Sequence, residues 1–171
     1  MASHFPKLLR YINSLPWDEP GLEDPIYRIA KKVVEELSQD RCASSNLPGT
    51  KTKDNLASVF VVQKEIDILA QQKISILDFI HKSAEHVKIF EAGNCREKSF
   101  LCVKKLFDEF ELNKISSYES TPKIDIVYCD GDEGHFFLIL NDEWVLDPWA
   151  QFLYPSALLS KVIAADEESD A

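Results

Sequence analysis

Apolar residues recur every three to four positions through the first half of the chain and alternate in short runs through the second, so helices are predicted to precede strands. Phe5, Leu8, Leu9 and Ile12 mark a first helix that stops near Pro16. A second is predicted from Asp24 to Gln39, with Pro25 in the first turn and Ile26, Ile29, Val33 and Leu37 as an apolar stripe. Arg41 to Asp54 reads as loop, because Ser44, Ser45, Asn46, Pro48, Gly49 and Thr50 cluster there. Leu56 to Gln71 and Ser75 to Phe90 read as two further helices, although the run Val59, Phe60, Val61, Val62 fits a buried strand equally well.

A helix starting at Cys95 is followed by aliphatic and aromatic runs at Lys114 to Tyr118, Ile124 to Cys129, His135 to Leu140 and Trp144 to Asp147, all predicted as strands. The turn-forming clusters 130–134 and 141–143 between them favour an antiparallel meander over βαβ crossovers. The expected class is therefore α+β. Pro155 to Ile163 reads as a last short helix, ahead of an acidic tail at 165–171.

Composition narrows the function classes. At 171 residues with 45% hydrophobic and 28% charged content, one globular domain is expected, spanning 1–164. A formal net charge of -10, with no Lys/Arg run, argues against nucleic acid and anionic membrane as partners. No segment reaches the roughly 20 apolar residues of a membrane span, and Lys7 and Arg10 interrupt the N-terminal apolar pattern, so no signal peptide is expected. Cys42, Cys95, Cys102 and Cys129 form no C-x-x-C pair and are too sparse for a disulfide framework. Free thiols in a reducing, cytoplasmic compartment are expected, and neither zinc nor a cofactor signature is read.

The segment Gly93-Asn-Cys-Arg-Glu97 carries the chemistry. Asn94 as N-cap and Glu97 three residues later form a capping box that makes Cys95 the first helical residue, against the free N–H groups and positive dipole end that favour a nucleophilic thiolate. Gly93 is read as supplying the turn and leaving room for a substrate. The plainer reading of Cys95 is a small buried hydrophobe. Cys102 in mid-helix and Cys129 at a strand end are read as structural, and Cys42 as a loop thiol open to reagents. His4, His81 and His86 are read as surface or packing residues, and Asp130, Asp132 and Glu133 as a solvated turn without the calcium-loop pattern.

Along its strand His135 faces the same way as Phe137 and Ile139. A two-residue turn at Asn141-Asp142 would put Asp147 on the opposite face. A three-residue loop, 141–143, pairs Leu140 with Trp144 and leaves Asp147 diagonal to His135 on one face, close enough for a carboxylate-to-imidazole hydrogen bond. Pro148 biases Asp147 toward an extended conformation. Cys95, His135 and Asp147 are thus the candidate catalytic residues, in a core at 93–149 preceded by the helical region 1–92.

The helix-opening Gly-Asn-Cys-Arg-Glu, the strand from His135 and the segment Glu-Trp-Val-Leu-Asp147-Pro148 together resemble the transglutaminase-like branch of the papain-like cysteine enzyme superfamily. The resemblance covers roughly Ala92 to Trp149. It implies an α+β papain-like/transglutaminase-like fold with a central cysteine helix packed on an antiparallel sheet. It also implies a Cys95-His135-Asp147 triad performing cofactor-free acyl transfer on protein amides: peptide hydrolysis, glutamine deamidation or transamidation. Lys98 and Ser99 stand where such helices often have small apolar residues, and the backbone N–H of Cys95 is the one oxyanion donor evident. The alternative is a catalytically inactive module that binds a protein through Trp144, Trp149, Phe152 and Tyr154. The acidic C-terminus resembles the acid-rich tails of bacterial secretion substrates, which allows for a secreted effector exported without a signal peptide.

Overall fold

Local capping and apolar spacing set the helices in the computed structural model, which describes residues 5–40, 42–44, 53–115, 122–130 and 134–170. Helix α1 is Phe5–Ser14. In α2, Pro25–Gln39, the N-cap Asp24 accepts the N–H groups of Ile26 and Tyr27 at 3.0 and 3.1 Å, and Tyr27, Ile29, Ala30, Val33, Val34 and Leu37 are buried. The strand alternative at Val59 is ruled out by α3, Lys53–Ala70. Its burial falls on Val59, Val62, Ile66 and Leu69, a helical spacing, while Phe60 between them is 59% exposed. Helix α4, Ile76–Phe90, starts where the Ser75 hydroxyl accepts the Asp78 N–H at 3.1 Å. Helix α5 is Cys95–Leu112.

The strands are β1, Ile124–Cys129, β2, His135–Leu140, β3, Trp144–Asp147, and β4, Phe152–Pro155. They form an antiparallel sheet in the order β1-β2-β3-β4. Together with the helices this makes the chain α+β. Strand β4 is an addition to the sequence reading. Lys114 and Ile115 are a correction to it: α5 ends at Leu112, Lys114 takes a positive φ of 53°, and Ile115 lies in a turn with its side chain in the core. The rest of that expected strand, most of the expected 41–54 loop and residues 131–133 lie outside the described residues. A 3-10 turn, Ser156–Leu158, leads into α6, Leu159–Asp170. That helix runs seven residues past the expected end at Ile163, through Ala and Glu residues that favour helix despite their charge.

Both faces of the sheet are covered. Leu138, Leu140, Trp144 and Leu146 pack with α2, α3, α4 and α5 in the larger apolar cluster. Phe137 and Val145 point the other way and pack with Ile12 of α1, Val162 of α6 and the turn residues Trp149 and Ala150. Most of α5 belongs to the first cluster, through Phe100, Leu101, Cys102, Val103, Leu106 and Phe110. Cys95, at its start, packs against the second. The first turn of α5 therefore lies on the side of the sheet that carries His135 and Asp147.

Candidate active site

Three devices fix the start of α5. Glu97 is 1% exposed, and its Oε2 accepts the Asn94 N–H at 2.9 Å, the reciprocal half of a capping box. Its Oε1 receives Arg96 Nε at 2.7 Å, while Arg96 Nη2 reaches Asp67 at 3.1 Å. Ahead of the cap, residues 42–44 run parallel to the chain entering the helix: Ala43 N–H donates to Glu91 O at 2.7 Å and Gly93 N–H to Ala43 O at 2.8 Å. The Ser44 hydroxyl then donates to Asn94 Oδ1 at 2.8 Å and accepts Trp149 Nε1–H at 3.2 Å.

Gly93 has a different reason from the one the sequence offered. A Cβ there would sit 2.7 Å from Glu97 Cβ, so the missing side chain makes room for the buried carboxylate of the cap. Gly93→Ala is expected to cost about 1–3 kcal/mol of stability, read by chemical denaturation, because Glu97 must shift and release two hydrogen bonds. An unchanged midpoint would show that the helix start gives way freely.

The β2–β3 register pairs Leu140 with Trp144, Ile139 with Val145 and Leu138 with Leu146, the pairing required by the three-residue loop. Asp147 and His135 accordingly share a face, and Asp147 Oδ2 lies 2.5 Å from His135 Nε2. The other oxygen, Oδ1, accepts the Ala150 N–H at 2.9 Å, which holds the carboxylate in the turn after β3. Trp149 packs edge-on against the imidazole at 5.5 Å. With Nε2 turned to Asp147, Nδ1 is buried and makes no hydrogen bond of its own. Cys95 is close enough to act on the ring, through its charge and as a looser hydrogen-bonding neighbour. Burial opposes a charge on His135, but Asp147's charge and hydrogen bond, with the Cys95 contribution, outweigh it and push the imidazole up to about 10.

The other thiols differ. Cys42 is half-buried rather than an open loop thiol, and burial pushes it up to about 11. Cys102 is fully buried in mid-helix and raised further by desolvation. Cys129 pairs across the ladder with His135. Trp144, Trp149, Phe152 and Tyr154 are all buried in the two clusters, so the aromatics expected to anchor a partner are core residues.

Sequence reasoning missed Ser44, Trp149 and Lys98. Ser44 and Trp149 are 105 residues apart and carry no local signal of their pairing. Lys98 is 8% exposed, and burial lowers its pKa while the charges of Cys42, Asp147 and Cys95 act against that. Among the described residues no group of three or more His, Cys, Asp or Glu side chains gathers to hold a metal ion, and no helix is long and apolar enough to cross a membrane.

A family model described as Dot/Icm T4SS effector Ceg10 matches residues 26–164, which run from the second residue of α2 past β4 and include every residue of the site. No match was found among curated proteins.

Proposed function

From the premise that the chain belongs to the Dot/Icm T4SS effector Ceg10 family, we propose that this effector is a cysteine-nucleophile acyl-transfer enzyme acting on protein amides. The fold we infer is papain-like, of the transglutaminase-like branch. The observation that carries the reading is the 2.5 Å contact between Asp147 Oδ2 and His135 Nε2, which leaves Nδ1 for the thiol of Cys95, a neighbour that acts on the same ring.

In this reading Nδ1 of His135 already holds the proton of the Cys95 thiol, as an imidazolium beside the thiolate, and the sulfur adds to the carbonyl carbon of a carboxamide. The resulting oxyanion faces the free N–H groups at the helix start. Collapse breaks the C–N bond, and the imidazolium gives its proton to the departing amine or ammonia. Water or an amine then attacks the thioester, with His135 accepting its proton, and the thiol is regenerated. Asp147 keeps the ring oriented and balances the imidazolium, as the orienting carboxylate of a triad does. Peptide hydrolysis, glutamine deamidation and transamidation share these steps and differ in the leaving group and the acceptor.

Site-resolved labelling with iodoacetamide at pH 6–7 tests the nucleophile. Cys95 is expected to react fastest, because His135 stands beside it whereas burial holds Cys42 and Cys102 protonated. Labelling of Cys95 at or below the rate of Cys102 would remove it as the nucleophile. Parallel assays of ammonia release, amine incorporation and peptide cleavage on host-cell proteins separate the three reactions.

A further inference from the structure

Lys98 lies three residues beyond Cys95, on the same face of α5, with its Cβ roughly 5–6 Å from that of Cys95. It is more than nine-tenths buried, and it makes no hydrogen bond or ion pair among the described residues. The carboxylates around it are already engaged. Asp147 gives Oδ2 to His135 and Oδ1 to Ala150, and Glu97 gives Oε2 to Asn94 and Oε1 to Arg96. Cys42 is held protonated by burial and offers no countercharge near neutral pH. The stem of Lys98 is packed while its Nζ keeps contact with solvent, so an incoming anion can meet the charge. The charge still reaches Cys95 and Asp147. It also stands within one turn of the free N–H groups of the helix start, themselves a setting for an anion.

We propose that Lys98 and the N-terminus of α5 form an anion site beside the thiol, and that it receives a carboxylate carried by the acyl donor, so that the substrate is an acidic peptide. This rests on Cys95 being the nucleophile and deepens that reading by naming the substrate class. The formal net charge of -10 disfavours an acidic partner at long range. The local cation therefore selects which part of the substrate sits next to the sulfur and does not steer the encounter. A bound carboxylate gives Lys98 the direct ion pair that no described residue supplies.

The test compares alkylation of Cys95 by iodoacetate, which carries a carboxylate, and by the neutral iodoacetamide, in the full chain at pH 7. The ratio of the two rates cancels the thiolate fraction and the nucleophilicity of the sulfur, so a change in Lys98 that merely alters the thiol leaves it unmoved. In the wild-type chain the ratio is expected to exceed that of glutathione. In Lys98→Met and Lys98→Gln it is expected to fall about tenfold, with Lys98→Arg retaining most of it. The two neutral variants cover a folding defect in either one, which a thermal melt reports. An unchanged ratio in the folded variants, with iodoacetamide still fast at Cys95, overturns the anion site alone. Slow reaction of Cys95 with both reagents overturns the nucleophile assignment and the anion site with it.

Discussion

Cys95→Ala is expected to remove several orders of magnitude of activity on protein amides while changing the stability of the fold by about 1 kcal/mol or less. The two halves of this expectation have separate physical sources. The sulfur is half-buried against the second apolar cluster and makes no hydrogen bond on which the cap depends. The start of α5 is held by Glu97, Asn94 and the 42–44 segment, none of which the substitution touches. The bond to the acyl group, by contrast, loses the sulfur at the helix start: Cys102 is sealed in mid-helix, and Cys129, opposite His135, sits on β1 and not at a helix start. Changing His135 in the Cys95→Ala background should add little, because a nucleophile and its base act as one unit. Denaturant melts give the stability half and the three parallel amide assays give the other. If Cys95→Ala leaves all detectable activity and any cellular effect unchanged, the binding-module reading wins, and a variant that loses several kcal/mol would make Cys95 a structural residue.

What the chain discloses about itself follows from how local each cause is. The β1, β2 and β3 bounds were readable because alternation and turn residues act over a few positions, and the parity of the 141–143 loop fixed which face Asp147 takes. Strand β4 was not, because the turn into it, 148–151, has no glycine; the positive φ of 62° there falls on Gln151, and the strand is four residues long ending in proline. Helix α3 was ambiguous because a β-branched run looks alike in either state, and only the burial of every third or fourth residue separates them. At the site, Cys95 was legible through its cap, and His135 and Asp147 through strand position. Ser44, Trp149 and Lys98 were not, since their roles depend on segments that meet only in the fold. Cys42 was misread for the same reason: its neighbours in sequence are polar, but its neighbours in space bury it.

The His135–Asp147 pair should also make stability fall as pH rises through the alkaline range. His135 is raised from 6.5 to about 10 in the folded chain, so between these values the native state holds a proton that the unfolded chain has lost. Unfolding then releases that proton, and raising the pH favours unfolding. The contribution is fully present below about pH 6.5 and is lost as pH rises through about 10. Because the side chains of His135 and Asp147 are only 21% and 12% exposed, solvent screens the pair weakly, and the loss is on the order of a few kcal/mol. Asp147→Asn isolates the effect, since an amide oxygen can still accept the Ala150 N–H while the charge facing Nε2 is gone. Denaturation free energies measured from pH 6 to 10 should decline for the wild-type chain relative to this variant, with the gap closing toward the alkaline end. The comparison is best made in a Cys95→Ala background, so that ionisation of the thiol does not add to the slope. Parallel curves for the two chains across that range would mean that the imidazole is not held charged by Asp147, and the electrostatic basis of the proposed triad would go with it.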